Sequence, residues 1–385
     1  MPMPDATTIA RDRGEGLLFW LTGLVLLVGL PVLNVLPDPE SWLHVSDFAL
    51  NRFGKFLCFA ILALGLDLIW GYTGILSLGH GVFFGLGAYA IGMHLMLTIG
   101  KESVYGSALP DFMVWNQVKE LPLFWKPFYS FSVSVAAAML VPTLFAFVFG
   151  FLAFRSRIKG VYFAIITQAL ALCAWLVFNR NETNLGGTNG LTDFKQILGF
   201  RLSEPGTQRA LYILTVLCLG AAYVLCRWII GSRTGRVLVA IRDSEQRVLF
   251  SGYSPANYKL FVFVVSAALA GVAGALYAPQ VGIITPAQIG VLPSLEMVIW
   301  VAVGGRGTLV GAVLGAVGVN WSRSVLTNYF PELWPFFLGG LFIAVVLLFP
   351  DGLVGLFAHI REKWAAGGIT RKPAPSSETG GQEAQ

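Results

Sequence analysis

Charge is scarce in this chain. Only 12% of its 385 residues are Asp, Glu, Lys or Arg, 56% are hydrophobic, and the mean hydropathy is +0.70. A soluble domain carries charge on about a quarter of its residues, so a water-soluble globular fold is excluded. Cysteine is sparse as well. Cys58, Cys173, Cys218 and Cys226 all lie in apolar runs, and no pair has metal-ligand spacing. Cys218 and Cys226 share roughly one helix face, where small buried side chains account for them, so they imply neither a disulfide framework nor a redox compartment. The histidines His44, His80, His94 and His359 stand apart from Cys and carboxylates and form no metal set. A phosphate loop of the form G-x-x-x-x-G-K-[ST] is missing too: Gly54-Lys55 and Gly100-Lys101 lack the upstream glycine and the following Ser or Thr. No catalytic residue, metal or bound cofactor follows from this sequence, and any ATP and Mg used alongside it would belong to other chains.

What the sequence does have is apolar length. Segments 17–36, 53–70, 74–97, 131–154, 160–178, 210–229, 260–279, 293–304, 309–325 and 334–356 are about ten candidate helices. The eighth is shorter than the ~20 residues that a full crossing needs. The first is long for a signal-peptide core and lacks a small-x-small cleavage site after it, so it reads as a retained helix. The fold class is therefore an all-α polytopic membrane protein. Residues 1–16 form a short cytoplasmic tail, 17–356 the membrane domain, and 357–385 a polar, cytoplasmic, disordered tail.

One hydrophilic interruption, Gly231–Lys259, organises the rest. It carries Arg233, Arg236, Arg242, Arg247 and Lys259 against Asp243 and Glu245. Asp243 or Ser244 suits a helix start, Gly252 a left-handed stop, and Pro255 forbids continuation. The spacing predicts a two-turn surface helix over Ser244–Ser251, a handle against which a partner can push, or else an ordinary basic loop. With this loop in the cytoplasm both termini face the cytoplasm. Lys and Arg are then more numerous on that side, as the positive-inside rule requires. The basic character thus reflects topology and gives no reason to expect nucleic-acid binding. The opposite face receives two long loops, Thr98–Ser130 and Asn179–Arg209, suited either to docking an extracytoplasmic partner or to an aromatic interfacial belt.

Inside the apolar segments a few residues stand out. Gly81 and Gly85 lie at helical spacing after Ser77 and His80, so this stretch either packs helices closely or lines a path. Asp67 and Glu296 are the acids within apolar segments, where a charge costs roughly 2.5–3.5 kcal/mol to insert. Each reads either as a path residue or as local hydrogen bonding, Asp67 to the Gly71–Gly74 turn and Glu296 to a helix start after Pro293. Gly307, Gly311 and Gly315 repeat every four residues and predict a packing face, with Arg306 in a tight cytoplasmic turn.

Gly71-Tyr-Thr-Gly-Ile-Leu-Ser-Leu-Gly-His-Gly resembles the G-x-x-G-x-x-S-x-G motif of membrane subunits of branched-chain amino acid-type ABC importers. Arg236–Glu245, Gly252-Tyr and Lys259–Tyr277 resemble the coupling loop and following helix of that family. Gln246-Arg247-Val248 stands where the general importer pattern has E-A-A, with Glu245 displaced by one. Within the family, Leu109–Val114, Gly190–Lys195, Pro279–Ile284 and Glu296–Leu309 look most like the urea-carrying branch. The resemblance implies a permease of the bacterial inner membrane, paired with a second permease subunit. It also implies two ATPase subunits that use ATP and Mg, a periplasmic binding protein, and urea as the small polar solute. Arg242, Asp243, Glu245, Gln246, Arg247, Val248, Leu249 and Gly252 would form the ATPase-coupling surface. Alternatives are a branched-chain amino acid or short-amide importer and, from a different class, a passive small-solute channel.

Overall fold

The computed structural model describes residues 22–38, 41, 43–103, 105–158, 160–348 and 352–355. The expected tails 1–16 and 357–385 lie outside the described residues. Among these residues, seven helices are long and apolar enough to cross a membrane, and three shorter apolar helices accompany them. Among the described residues the fold is mostly helical, with four two-residue strands.

A short α1 (Thr22–Val35) contains a π-helical turn at Val25–Gly29. Helix α2 (Asp47–Thr73) starts on Ser46, whose hydroxyl accepts from the Ala49 amide, and carries Asp47 in its first turn. Asp47 in turn accepts from Asn34 Nδ2 at 2.9 Å, which ties α1 to α2. The helix ends where Gly74 adopts φ 73°, a left-handed conformation that a Cβ would disfavour. Helix α3 then begins only at His80 and runs to Ile99. Segment 74–97 was expected to be helical from its first residue. Residues 74–79 instead form a non-helical connection: the Gly74 cap stops α2, and the chain runs back inside the bundle, where the Leu78 amide donates to Thr167 Oγ1 at 2.9 Å, before α3 starts.

After α3 come a short α4 (Asp111–Trp115), α5 (Phe131–Arg155) and α6 (Val161–Phe178). Helix α7 (Pro205–Gly231) leads into the polar α8 (Arg233–Phe250), and α9 (Pro255–Val281) follows. The chain closes with α10 (Val291–Gly304), α11 (Leu309–Tyr329) and α12 (Trp334–Leu348). At 27 residues α9 is about 40 Å long, enough to cross a hydrocarbon core of about 30 Å.

Helix α9 is central, packed against α2, α3 and α5, while α7 and α11 flank α2. The α3–α9 contact is backbone on backbone. A Cβ on Gly87 would collide with the Gly271 carbonyl, and one on Gly274 with the Phe84 carbonyl. Apolar helices have no hydrophobic drive to associate in lipid, so such close approach, with its dispersion contacts, is what holds them. By contrast α5 turns Leu140, Leu144, Phe147 and Leu152 outward, and α6 does so with Ile165, Leu172 and Leu176. That outward apolar surface suits acyl chains.

The two long loops lie together at one end of the bundle. Lys195 Nζ donates to the Glu102 carbonyl at 2.7 Å, Gln196 Nε2 to the Thr98 carbonyl at 2.8 Å, and Trp125 Nε1 to the Asn184 carbonyl at 3.0 Å. Strand β1 (Leu191–Thr192) pairs antiparallel with β4 (Ile283–Ile284), which fastens this layer to the end of α9. Strands β2 (Gln196–Ile197) and β3 (Phe200–Arg201) make a small hairpin beside it. Helix α8 lies at the opposite end.

Candidate functional site

Chemistry collects at both ends of the bundle. At the α8 end, the helix begins on Ser232 and breaks at Ser244, whose φ −162° and ψ 97° are extended. Ser244 thereby separates a last helical piece, Glu245–Phe250, which Ser251 and Gly252 (φ 83°) close before Pro255 opens α9. The two-turn helix expected over Ser244–Ser251 is present. The stretch before it, expected as loop, is helical from Arg233, because Gly235, Leu238 and Ile241 supply a buried apolar stripe at helical spacing.

The coupling candidates divide by where their side chains go. Arg242 Nη1 donates to the Gly71 carbonyl at 2.9 Å, in the last turn of α2. Glu245 pairs with the buried Lys259 of α9 at 2.8 Å. Val248 is buried within the chain. Each of these three thus makes a contact within this subunit, and Arg242 keeps an exposed side chain beside Asp243. Asp243, Gln246, Arg247, Leu249 and Phe250 point outward, with Leu249 58% and Phe250 87% exposed. Gly252 provides the positive-φ stop.

The anchoring continues inward. Asp67 Oδ1 accepts from the Gly307 amide at 2.7 Å, joining α2 to the α10–α11 turn. Of the bond to the Gly71–Gly74 turn and the path role considered from sequence, the structure has the bond but with a different donor: Gly307 fills the space beside Gly71, where a Cβ would strike both Asp67 and Gly307. Arg306 in the same turn lies over the Trp70 ring at 5.5 Å. Gly307 has φ 78° and belongs to the turn, so of the expected packing face only Gly311 and Gly315 lie on α11, against Gly304 and the Trp300 carbonyl of α10.

Ser77 and His80 are fully enclosed. The Ser77 hydroxyl is 2.9 Å from His80 Nδ1, His80 Nε2 is 2.6 Å from Ser266 Oγ, and Ser266 donates to the Gly65 carbonyl at 2.6 Å. The chain of bonds crosses α3, α9 and α2. Of the two readings open from sequence, close packing or lining a path, the arrangement within this subunit matches the packing one. Ser77 precedes the helix, and both side chains lie in packed interior with hydrogen bonds to protein. Gly81 and Gly85 press against Ser294, Gln288 and Ile289, which makes them packing positions.

At the loop end there is a cavity of about 1030 Å³ between α2, α6, α9, α10 and α11. Its walls are aromatic (Phe56, Phe59, Tyr277, Trp300), and its charged side chains are Arg52, Lys55, Glu296 and Arg323. Glu296 does not serve a helix start: its Oε2 is 2.5 Å from Arg323 Nη1 on the neighbouring helix. Sequence reasoning singled out Glu296 and missed its three basic neighbours, although Lys55 and Arg323 lie inside apolar segments by the same criterion. Gln280 and Asn320 add amides to the lining. Among the described residues no three His, Cys, Asp or Glu side chains come together as a metal set.

The sequence profile of the family described as "Branched-chain amino acid transport system / permease component" matches residues 48–346. The high-affinity branched-chain amino acid permease LivM of Escherichia coli is 26% identical over 376 residues, covering 92% of this chain and 77% of the relative. BraD of Pseudomonas aeruginosa is 24% identical over 330 residues, covering 82% and 97%. LivH of Salmonella typhimurium is 22% identical over 334 residues, again covering 82% and 97%. No solved structure matches the chain. These relatives are named for branched-chain amino acids, which fits the amino-acid alternative better than the urea branch favoured by individual stretches. With its membrane-length helices, the chain is a multi-pass protein of the inner, cytoplasmic membrane. It belongs to the family of branched-chain amino acid transport system permease components.

Proposed function

We propose that the chain is one of two unlike permease subunits of an ATP-driven importer that passes a branched-chain amino acid from a periplasmic binding protein to the cytoplasm. ATP and Mg are used by two separate ATPase subunits. The observation that carries this reading is the short helix Glu245–Phe250. It presents Leu249 and Phe250 to the exterior, and Arg242 and the Glu245–Lys259 pair fasten it to α2 and α9. A passive pore has no use for an apolar knob rigidly joined to two transmembrane helices. A driven one needs it, because force from a moving partner must reach the helices. Similarity to both LivM and LivH of Salmonella typhimurium supports a pair of related but different permeases. Substrate would travel between them, with the charged cavity on this subunit's share of the wall.

Phe250→Asp tests the coupling role. The side chain is almost wholly exposed, so the variant should insert and fold, while ATP-driven uptake falls at least tenfold because a charge replaces the buried knob at the contact. Unchanged uptake would remove the coupling assignment. Uptake of labelled leucine and urea by cells lacking only this chain tests the substrate. Loss of leucine uptake alone supports the amino-acid reading, and loss of urea uptake alone restores the urea branch suggested by Leu109–Val114 and Gly190–Lys195.

A further inference from the structure

The cavity at the loop end carries unbalanced charge. Glu296 and Arg323 neutralise one another at 2.5 Å. Arg52 and Lys55 remain, one helical turn apart on the same face of α2. The Arg52 guanidinium lies 4.4 Å from the centre of the Phe48 ring, and the Lys55 ammonium sits 5.9 Å from that of Phe59 and 5.8 Å from that of Tyr277. Neither makes an ion pair with a carboxylate among the described residues. Asp47, the nearest acid along α2, accepts from Asn34 instead. Ring faces attract cations but do not cancel their charge. Two like charges beside aromatic walls in a membrane domain are costly unless an anion joins them.

We propose that Arg52 and Lys55 form a carboxylate-binding subsite, through which this subunit takes a small solute that pairs a carboxylate with an apolar body. The guanidinium fork and the ammonium supply charge-assisted donors from one helix face. The apolar body lies against Phe56, Phe59 and Trp300, and Glu296, held through Oε2 by Arg323, offers its other oxygen to an ammonium group. A cavity of about 1030 Å³ is at the top of the range of about 300–1,000 Å³ typical of small-molecule sites. Urea has neither carboxylate nor apolar body and would leave both cations unpaired. The inference rests on the amino-acid reading of the importer and assigns that reading to particular side chains.

The test uses the assembled importer in lipid nanodiscs and saturation-transfer NMR, which detects weak binding. The probes are leucine, 4-methylvalerate (carboxylate without ammonium), leucinamide (ammonium without carboxylate) and urea. Saturation is expected to reach leucine and 4-methylvalerate, at least fivefold more than leucinamide or urea. It should vanish in Arg52→Gln/Lys55→Gln and persist in Arg52→Lys/Lys55→Arg. Equal transfer to leucinamide, no transfer to any probe, or full transfer in the double Gln variant would overturn the proposal. So would failure of that variant to co-purify with the second permease, because the cations would then serve the subunit interface. ATP-driven leucine uptake by the unaltered importer separates the two levels. Its absence defeats the amino-acid reading, whereas its presence with equal uptake in the double Gln variant defeats only the subsite.

Discussion

Asp67 shows what one side chain does in this fold. Its carboxylate is fully buried near the end of α2, and one oxygen holds the Gly307 amide at 2.7 Å. That bond fixes the α10–α11 turn against the same helix end to which Arg242 attaches. Removing the acceptor leaves a part-buried amide unpaired, a loss of about 1 kcal/mol. Asp67→Ala should therefore lower the melting temperature of the assembled complex by several degrees, while Asp67→Asn, which keeps a carbonyl oxygen at the site, should lose distinctly less. Equal losses would mean that the acceptor is immaterial. An acid inside an apolar segment was conspicuous in the sequence. Its partner, 240 residues away, was not, because a backbone amide carries no sequence signature.

At the scale of the element, punctuation was the most legible feature. The sequence around Gly252 and Pro255 predicted where the surface helix ends, and the extended backbone at Ser244 matches its predicted start. The helical run before it was hidden, since five basic residues within Gly231–Lys259 mask the stripe of Gly235, Leu238 and Ile241. Small-residue spacing pointed to close packing in α3 and α11, and both have glycines against neighbouring backbone. The spacing did not tell which glycines matter. Gly87 meets the Gly271 carbonyl, whereas Gly318 has open space around it. A methyl forced between two backbones costs about 1–3 kcal/mol of overpacking. Gly87→Ala is thus expected to reduce the yield of monodisperse complex several-fold by size-exclusion chromatography, and Gly318→Ala to leave it unchanged. Equal yields would argue that the α3–α9 contact is looser than described.

The whole molecule has two chemically different ends. One bears α8 and Arg306. The other bears the interlocked loops and the mouth of the charged cavity. Excess Lys and Arg near α8 predict that this end faces the cytoplasm. In a cysteine-free background, a membrane-impermeant maleimide should label Trp115→Cys in intact cells, since Trp115 is the exposed last residue of the short α4. Arg236→Cys should be labelled only after permeabilisation. The opposite pattern would invert the orientation and with it the roles given to both ends. The sides of the bundle differ as well: α5 carries large outward apolar side chains suited to lipid, while the wall holding Arg52, Lys55, Glu296 and Arg323 requires protein or water in front of it.

Sequence by itself determined the membrane class, the approximate number of helices, the polar handle and the positions of its ends. These depend on local quantities: apolar length, periodicity, caps and charge bias. Tertiary structure decided which side chains the handle offers outward and which it uses to hold on. It also drew Ser77 and His80 into a buried bonding chain and gathered Arg52, Lys55, Glu296 and Arg323 around one cavity. The physical reason is distance along the chain: Arg52 and Arg323 come together only because α2 and α11 pack side by side. Which two apolar helices lie side by side is set by how their surfaces fit across the whole bundle, and no local pattern in either helix names its partner.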